Sequence, residues 1–165
     1  MNANWPKPGT KFRTFLDLAV PAAQECERKT GVPTCVTLAQ AIEESGEGQH
    51  HCGSGNNYFG IIADCRWKGP KIGLPTMECE NGKWVKRVRY FRAYPDMAAS
   101  FVDHSNFLVV NKLYADLFKL DRADYKGWAN GLKRHGYATN PKYAANLIRI
   151  TELLGLQYLN LAKDA

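Results

Sequence analysis

The segment Leu38-Ala39-Gln40-Ala41-Ile42-Glu43-Glu44-Ser45-Gly46 decides how the rest of the chain is read. Small and apolar residues at this density describe a helix that neighbours can approach closely on all sides. The glycine that follows is the residue best suited to a left-handed cap. Glu44 falls in the last turn. There the negative end of the helix dipole and adjoining apolar surface both disfavour ionisation, which keeps a glutamic acid protonated and able to donate. Glu43 and Glu44 project about 100° apart on a helix of about 3.6 residues per turn, so only one of them faces a given cleft.

Upstream, Phe12 to Lys29 reads as a helix whose apolar side carries Phe15, Leu16, Leu18, Ala19, Ala22 and Ala23. Gly31-Val32-Pro33 closes it, and Pro21 is a candidate bend. Thr34 is a candidate cap for the central helix. Downstream, Gly46 to Gly73 is rich in Gly, Asn, His and aromatic residues without periodicity, as expected of a loop that lines a site. Thr76-Met77-Glu78-Cys79-Glu80 and Lys83-Trp84-Val85-Lys86-Arg87-Val88 then flank Asn81-Gly82, the pair favoured in a two-residue type I′ hairpin turn. That register sets Glu78 opposite Val85 with Lys83 and Arg87 as diagonal neighbours, and puts Met77, Cys79 and Trp84 on the other face.

Helices resume after Pro95. Asp96 caps one bearing Met97, Phe101, His104, Phe107 and Leu108, and another carries Trp128 and Leu132 and stops at Gly136. Asn140 and Pro141 open a last helix with Tyr143, Leu147, Ile150 and Leu154. His104, Phe107 and Trp128 read as core, with His104 hydrogen-bonded to backbone. The expected architecture is α+β and mainly helical: one domain over residues 1–165 with a hairpin lobe at about 72–92 inserted after the second helix.

At 165 residues and 45% hydrophobic composition the chain can bury a substantial core. Its net charge of +6 favours a polyanionic partner, yet 22 basic residues interleave with 16 acidic ones and form no long run. The aromatic and basic sheet pattern of nucleic-acid binders is missing, which ranks an anionic wall polymer ahead of nucleic acid. Met1 to Gly9 lacks the features of a secretory signal and no stretch is long enough to span a bilayer, so a soluble protein with another export route is expected. Five cysteines in the first half lean towards an oxidising compartment. The pairing favoured is Cys26 with Cys35 and Cys65 with Cys79, leaving Cys52 free. His50-His51-Cys52 fits no common zinc spacing, and no metal or cofactor is expected.

Several stretches then agree with one family. Phe15 to Pro33, the Leu38 to Gly46 segment, Asn57-Tyr58-Phe59-Gly60-Ile61, Thr76-Met77-Glu78, Phe91-Arg92-Ala93-Tyr94, Asp103-His104 and Gly136-Tyr137-Ala138-Thr139 resemble, in order, the glycoside hydrolase family 73 β-N-acetylglucosaminidases. The resemblance implies a lysozyme-like α-lobe, a hairpin lobe over the cleft, and cleavage of the β-1,4 bond after N-acetylglucosamine in peptidoglycan. It places the general acid at Glu44, the second acidic residue at Glu78 and a tyrosine beside the reacting sugar at Tyr137. Two positions depart from the pattern. Glu47 stands where the family often has tryptophan, and Asn140 where it often has aspartate; the first implies an altered subsite wall, the second a retained helix cap.

On that reading Glu44 protonates the glycosidic oxygen. Glu78 activates water or stabilises an intermediate formed by the substrate's own acetamido group. Carboxyls about 6.5–9.5 Å apart would suit inversion and about 5–5.5 Å a covalent nucleophile, with substrate assistance outside that division. Tyr58, Phe59, Trp67 and Trp84 are candidate substrate-binding rings. The leading expectation is a metal-independent, monomeric endo-β-N-acetylglucosaminidase acting on peptidoglycan strands. The rivals are a lytic transglycosylase and a non-catalytic wall-binding module. Missing wall-binding repeats, no signal sequence and oxidisable cysteines fit an antibacterial effector delivered to the periplasm by a type VI or similar system, with an immunity protein over the cleft. A phage endolysin or autolysin domain is the alternative setting.

Overall fold

The computed structural model describes residues 3–80 and 82–162, with the side chains of 78–80 outside that description. Helix α1 (Lys11–Thr30) begins where the Thr10 side chain accepts from the Arg13 amide and ends at Gly31 in the left-handed region, with Pro21 inside. Helix α2 (Thr34–Ser45) follows after three residues. Strands β1 (Lys71–Glu80) and β2 (Lys83–Arg92) form an antiparallel pair. Helices α3 (Met97–Val110), α4 (Tyr125–Arg134) and α5 (Tyr143–Leu154) complete the helical part, with a 3-10 turn at Leu156–Leu159. No helix among the described residues is long and apolar enough to cross a membrane.

Every residue of α2 except Glu43 and Glu44 is buried. The helix packs against α1, α4, α5 and the Leu156–Leu159 turn. Burial on all sides requires partners for its free first-turn amides. Glu27 of α1, itself wholly buried, supplies them: its Oε2 accepts from the Thr34 amide at 3.0 Å and from the Thr34 hydroxyl at 2.6 Å, and from the Leu161 amide at 3.2 Å. Asn160 Oδ1 accepts from the Cys35 amide at 2.8 Å. Thr34 is therefore the first helical residue, with Pro33 at the cap position. The expected threonine cap is replaced by a carboxylate reaching across from α1.

Cys26 and Cys35 are buried free thiols, and Cys52 and Cys65 are free as well. The expected Cys26–Cys35 and Cys65–Cys79 bridges are absent; the Cys79 side chain lies outside the described residues. Cys26 and Cys35 are both buried, and Asn160 Oδ1 holds the Cys35 backbone amide. Burial pushes the Cys35 thiol up to about 12, keeping it neutral.

The hairpin is twice as long as the turn-flanking pattern implies, because Ile72, Gly73, Leu74 and Pro75 pair in register with Phe91 to Val88. Glycine and proline weaken a strand signal, yet a two-stranded sheet has only edges and tolerates both. Glu78 pairs with Val85 and Glu80 with Lys83, as expected, and Gly82 has φ of 75°. Asn81, on which the turn type depends, lies outside the described residues.

The base of the hairpin is fastened chiefly by asparagines. Asn57, 1% exposed, donates from Nδ2 to the carbonyls of Ile61 and Arg92, each at 2.9 Å, and accepts from the Phe59 and Ile61 amides. Asn56 donates to the carbonyls of Tyr94 and Pro95. The Arg92 guanidinium meets Asp103 of α3 at 2.8 Å, and the Tyr94 hydroxyl donates to the same carboxylate oxygen at 2.7 Å.

His104 is fully buried, as expected, but its partner differs from the expected backbone bond. Neither ring nitrogen has a hydrogen-bond partner among the described residues, and the ring stacks on Phe59 at 3.8 Å. Burial holds its pKa down to about 3 against an ordinary 6.5. In α5 the helix starts at Tyr143, two residues later than expected, while the Asn140 side chain accepts from the Lys142 amide in the turn before it.

Two outcomes are expected. Asn57→Ala lowers stability by roughly 3 kcal/mol in denaturant unfolding, since it strands the Phe59 and Ile61 amides and removes a donor from the Ile61 and Arg92 carbonyls; Asn56→Ala, nearer solvent, costs clearly less. The unfolded state protonates His104 first, so its contribution is complete above pH 6.5 and is lost as pH falls towards about 3. His104→Phe flattens that part of the stability profile, as thermal unfolding between pH 7 and 4 measures.

Candidate active site

Glu44 stands one residue before the end of α2. Ser45 folds the chain back beyond it, accepting from the Gly48 amide through its hydroxyl and from the His50 amide through its carbonyl. Gly46 takes the left-handed cap and returns its amide to Ile42. Gly48, at φ of 81°, is required as glycine because a Cβ would collide with the Phe15 ring. The loop then runs beside the helix end and forms a cleft of about 510 Å³ with Glu44, His50, His51, Cys52, Leu74 and Phe91 among its lining residues.

Glu43 turns the other way and accepts from Asn146 Nδ2 of α5 at 2.7 Å. The two adjacent glutamates thus separate into one cleft residue and one anchor. Glu47 borders a different groove, with Glu43 and α5.

The Glu44 side chain reaches solvent through the cleft mouth, but the protein atoms crowding its carboxyl dominate its acidity. Burial raises its pKa, the Tyr143 hydroxyl opposes this, and the charge of Glu43 raises it further. Tyr143 is 2% exposed and its oxygen also receives Gln40 Nε2 at 3.0 Å. Tyr137 stacks on Tyr143 with ring centres 5.7 Å apart and sets its edge to His104. Burial keeps the Tyr137 phenol protonated, and the Glu44 charge adds to that effect.

Leu74 and Phe91 line the cleft from the hairpin, and strand alternation puts the backbone positions of Thr76 and Glu78 on the same sheet face as Leu74. The Glu78 side chain lies outside the described residues. Trp84 pairs with Cys79 on the opposite face and is 69% exposed, away from the cleft wall formed by Leu74 and Phe91. Trp67 is a strut at the hairpin base: Arg92 lies 4.6 Å over its ring, Tyr94 meets it edge-on, and its Nε1 donates to the Pro70 carbonyl. Tyr58 and Phe59, expected to be half core and half cleft wall, are buried among Phe15, Phe101 and His104.

The sequence reading missed Gln40 and Tyr143 as site residues. Gln40 carried a signal, since it lies one turn before Glu44 on the same helical face. Tyr143 did not, because its partner Gln40 is 103 residues away.

Because burial raises the Glu44 pKa in the folded state, its contribution to stability is present below the unfolded carboxylate pKa and is lost as pH rises through the folded one. Glu44→Gln is accordingly expected to melt higher than wild type at pH 7, with the gap narrowing towards pH 4 in thermal unfolding.

Comparison with known proteins agrees with this geometry. Residues 20–156 match the glucosaminidase family model, described as mannosyl-glycoprotein endo-β-N-acetylglucosaminidase. The chain is 34% identical over 143 residues to the peptidoglycan hydrolase FlgJ of Vibrio parahaemolyticus, covering 84% of this chain and 46% of that protein. It is 30% identical over 158 residues to a probable N-acetylmuramidase of Lactococcus lactis subsp. lactis, covering 92% of this chain and 35% of that protein. It thus spans less than half the length of these relatives. Among solved structures, a C-terminally truncated glycoside hydrolase domain of Salmonella typhimurium FlgJ superposes with a TM-score of 0.73 at 33% identity, covering 87% of this chain and 97% of that one. The catalytic domain of the Listeria monocytogenes autolysin Auto gives 0.80 at 25% identity, covering 93% and 90%. With a buried helix delivering one glutamate to a cleft beneath a hairpin, and a family match over most of its length, the chain belongs to the lysozyme-like glucosaminidases of glycoside hydrolase family 73.

Proposed function

We propose that the chain is an endo-β-N-acetylglucosaminidase that hydrolyses the β-1,4 bond between N-acetylglucosamine and N-acetylmuramic acid in peptidoglycan. The observation that carries this reading is Glu44: it is the cleft-facing carboxyl of an otherwise buried helix, with its ionisation disfavoured by burial. A carboxyl so placed gives its proton to the glycosidic oxygen as the bond to the anomeric carbon breaks and positive charge develops on the sugar. Glu78 supplies the second carboxylate, taking a proton from the attacking water or steadying an intermediate made by the acetamido group. Tyr137 borders the reacting sugar. The site needs no metal in this scheme, and a monomer suffices.

The names of the matching family and of the relatives divide between glucosaminidase and muramidase, so the bond is the first thing to measure. Mass spectrometry of fragments released from purified peptidoglycan is expected to find N-acetylglucosamine at the reducing end. Glu44→Gln is expected to stay folded and release fragments slower by at least about a thousandfold. N-acetylmuramic acid at the reducing end would reassign the bond, a 1,6-anhydro product would indicate lytic transglycosylation, and near-normal release by Glu44→Gln would remove the acid from the scheme.

The substrate places the action in the periplasm or cell wall. Delivery as an antibacterial effector, with an immunity protein seated over the cleft, is the extension of this reading. Its support is narrower than the sequence suggests, because four free thiols remove the argument from disulfides.

A further inference from the structure

Directly opposed residues of an antiparallel pair share a sheet face, so the register of the hairpin sorts its charges. Leu74 and Phe91 line the cleft, and on their face Leu74 pairs with Arg89 and Thr76 with Arg87. Exposure along β1 alternates to match: Ile72, Leu74 and Thr76 are half-buried, whereas Lys71, Gly73, Pro75 and Met77 are exposed. Arg87 and Arg89 are exposed too. In the half of the hairpin nearest the cleft they supply the charge of this face, because its other positions are Ile72, Leu74, Thr76 and Phe91. Lys71 and Lys86 fall on the opposite face. The described residues lining the cleft itself include no arginine or lysine, so positive charge meets a bound strand from the hairpin.

Peptidoglycan brings negative charge close to the bond in question. A cut after N-acetylglucosamine leaves a muramic acid directly on the other side, and its lactyl group carries a stem peptide with free carboxylates. At about 3.4 Å per strand residue, Arg89 lies about 7 Å and Arg87 about 14 Å along β2 from Phe91. A stem of about four residues spans about 13 Å when extended, which matches that reach. The arginine fork fits a carboxylate in bidentate fashion and keeps its charge at all working pH values. Each arginine also interacts within the protein, and the several N–H donors of a guanidinium let it hold that partner and a carboxylate together.

Resting on the assignment of the chain as a peptidoglycan glucosaminidase, we propose that Arg87 and Arg89 form a subsite for the stem-peptide carboxylates of the muramic acid next to the cut bond. The chain then favours glycan whose stems carry free carboxylates. The contact is remote from the reacting atoms and is made equally in the ground and transition states, so it acts through KM more than kcat.

The test uses soluble glycan oligomers bearing stem tetrapeptides, either with free carboxylates or with those carboxylates converted to amides, which removes the charge and keeps the peptide. Reducing-end release is followed for wild type, for Arg87→Gln/Arg89→Gln and for Lys71→Gln/Lys86→Gln, a control with the same loss of charge on the opposite face. Binding of both oligomers to Glu44→Gln, with and without the arginine changes, is measured by calorimetry, so the preference is read even where no bond is cut. Wild type is expected to favour the carboxylate oligomer about tenfold in kcat/KM. The arginine variant loses that preference while its release from the amidated oligomer is unchanged, and the lysine variant keeps it. Equal handling of the two oligomers by wild type overturns the proposal, as does a preference that survives the arginine changes. A preference lost equally in the lysine variant reports general attraction to a polyanion and overturns the subsite as well. If wild type cuts neither oligomer, yet Glu44→Gln binds the carboxylate form more tightly by way of the arginines, the hydrolase reading falls and the subsite stands. If wild type cuts both equally and Glu44→Gln cuts neither, the subsite falls and the hydrolase reading stands.

Discussion

Burying α2 on all sides is the constraint from which the rest of the arrangement follows. A helix in the core has no water for its end groups, so both termini must be met by protein. At the first turn the partner is the wholly buried Glu27 carboxylate, which gathers the end of α1, the start of α2 and the Leu161 amide around one oxygen. At the last turn Gly46 and Ser45 redirect the chain, and the loop they launch becomes a wall of the cleft. The two α2 side chains that escape burial are the adjacent glutamates. One ties the helix to α5 through Asn146, and the other is left for chemistry.

Glu44 also illustrates the tension between stability and function. A carboxyl crowded by protein and by the neighbouring Glu43 is disfavoured as an anion, which folding would avoid and proton donation requires. Tyr143 is held in place beside α2 by Gln40 and by stacking on Tyr137. The cluster is placed by helix packing rather than by loops, so the partners of the acid inherit the rigidity of α2 and α5.

The hairpin is attached differently. Its strands pair mainly with each other, and its base is held by side-chain hydrogen bonds from Asn56 and Asn57 and by the Arg92–Asp103–Tyr94 cluster. Trp67 belongs to this fastening, with its ring face taken by Arg92 rather than left open to a sugar. The other aromatic residues near the site also have structural places. Tyr58 and Phe59 fill the core beneath the cleft, while Trp84 lies on the far face of the hairpin.

Much of this was legible in the sequence. Apolar periodicity and glycine stops located the long helices to within a few residues, because those signals are local and the core rewards the same pattern. Asn-Gly gave the hairpin register, and the adjacent glutamates ahead of Ser-Gly marked one residue for the cleft. What only the tertiary structure decided involves partners distant in sequence. The carboxylate cap at Thr34 comes from another helix, and Cys26 and Cys35 are buried as separate thiols. His104 stacks on an aromatic ring instead of bonding to backbone. Tyr143 meets Gln40 only when α5 docks on α2. Local sequence can bring a carboxyl to a helix end, but the groups that set its acidity are chosen by packing.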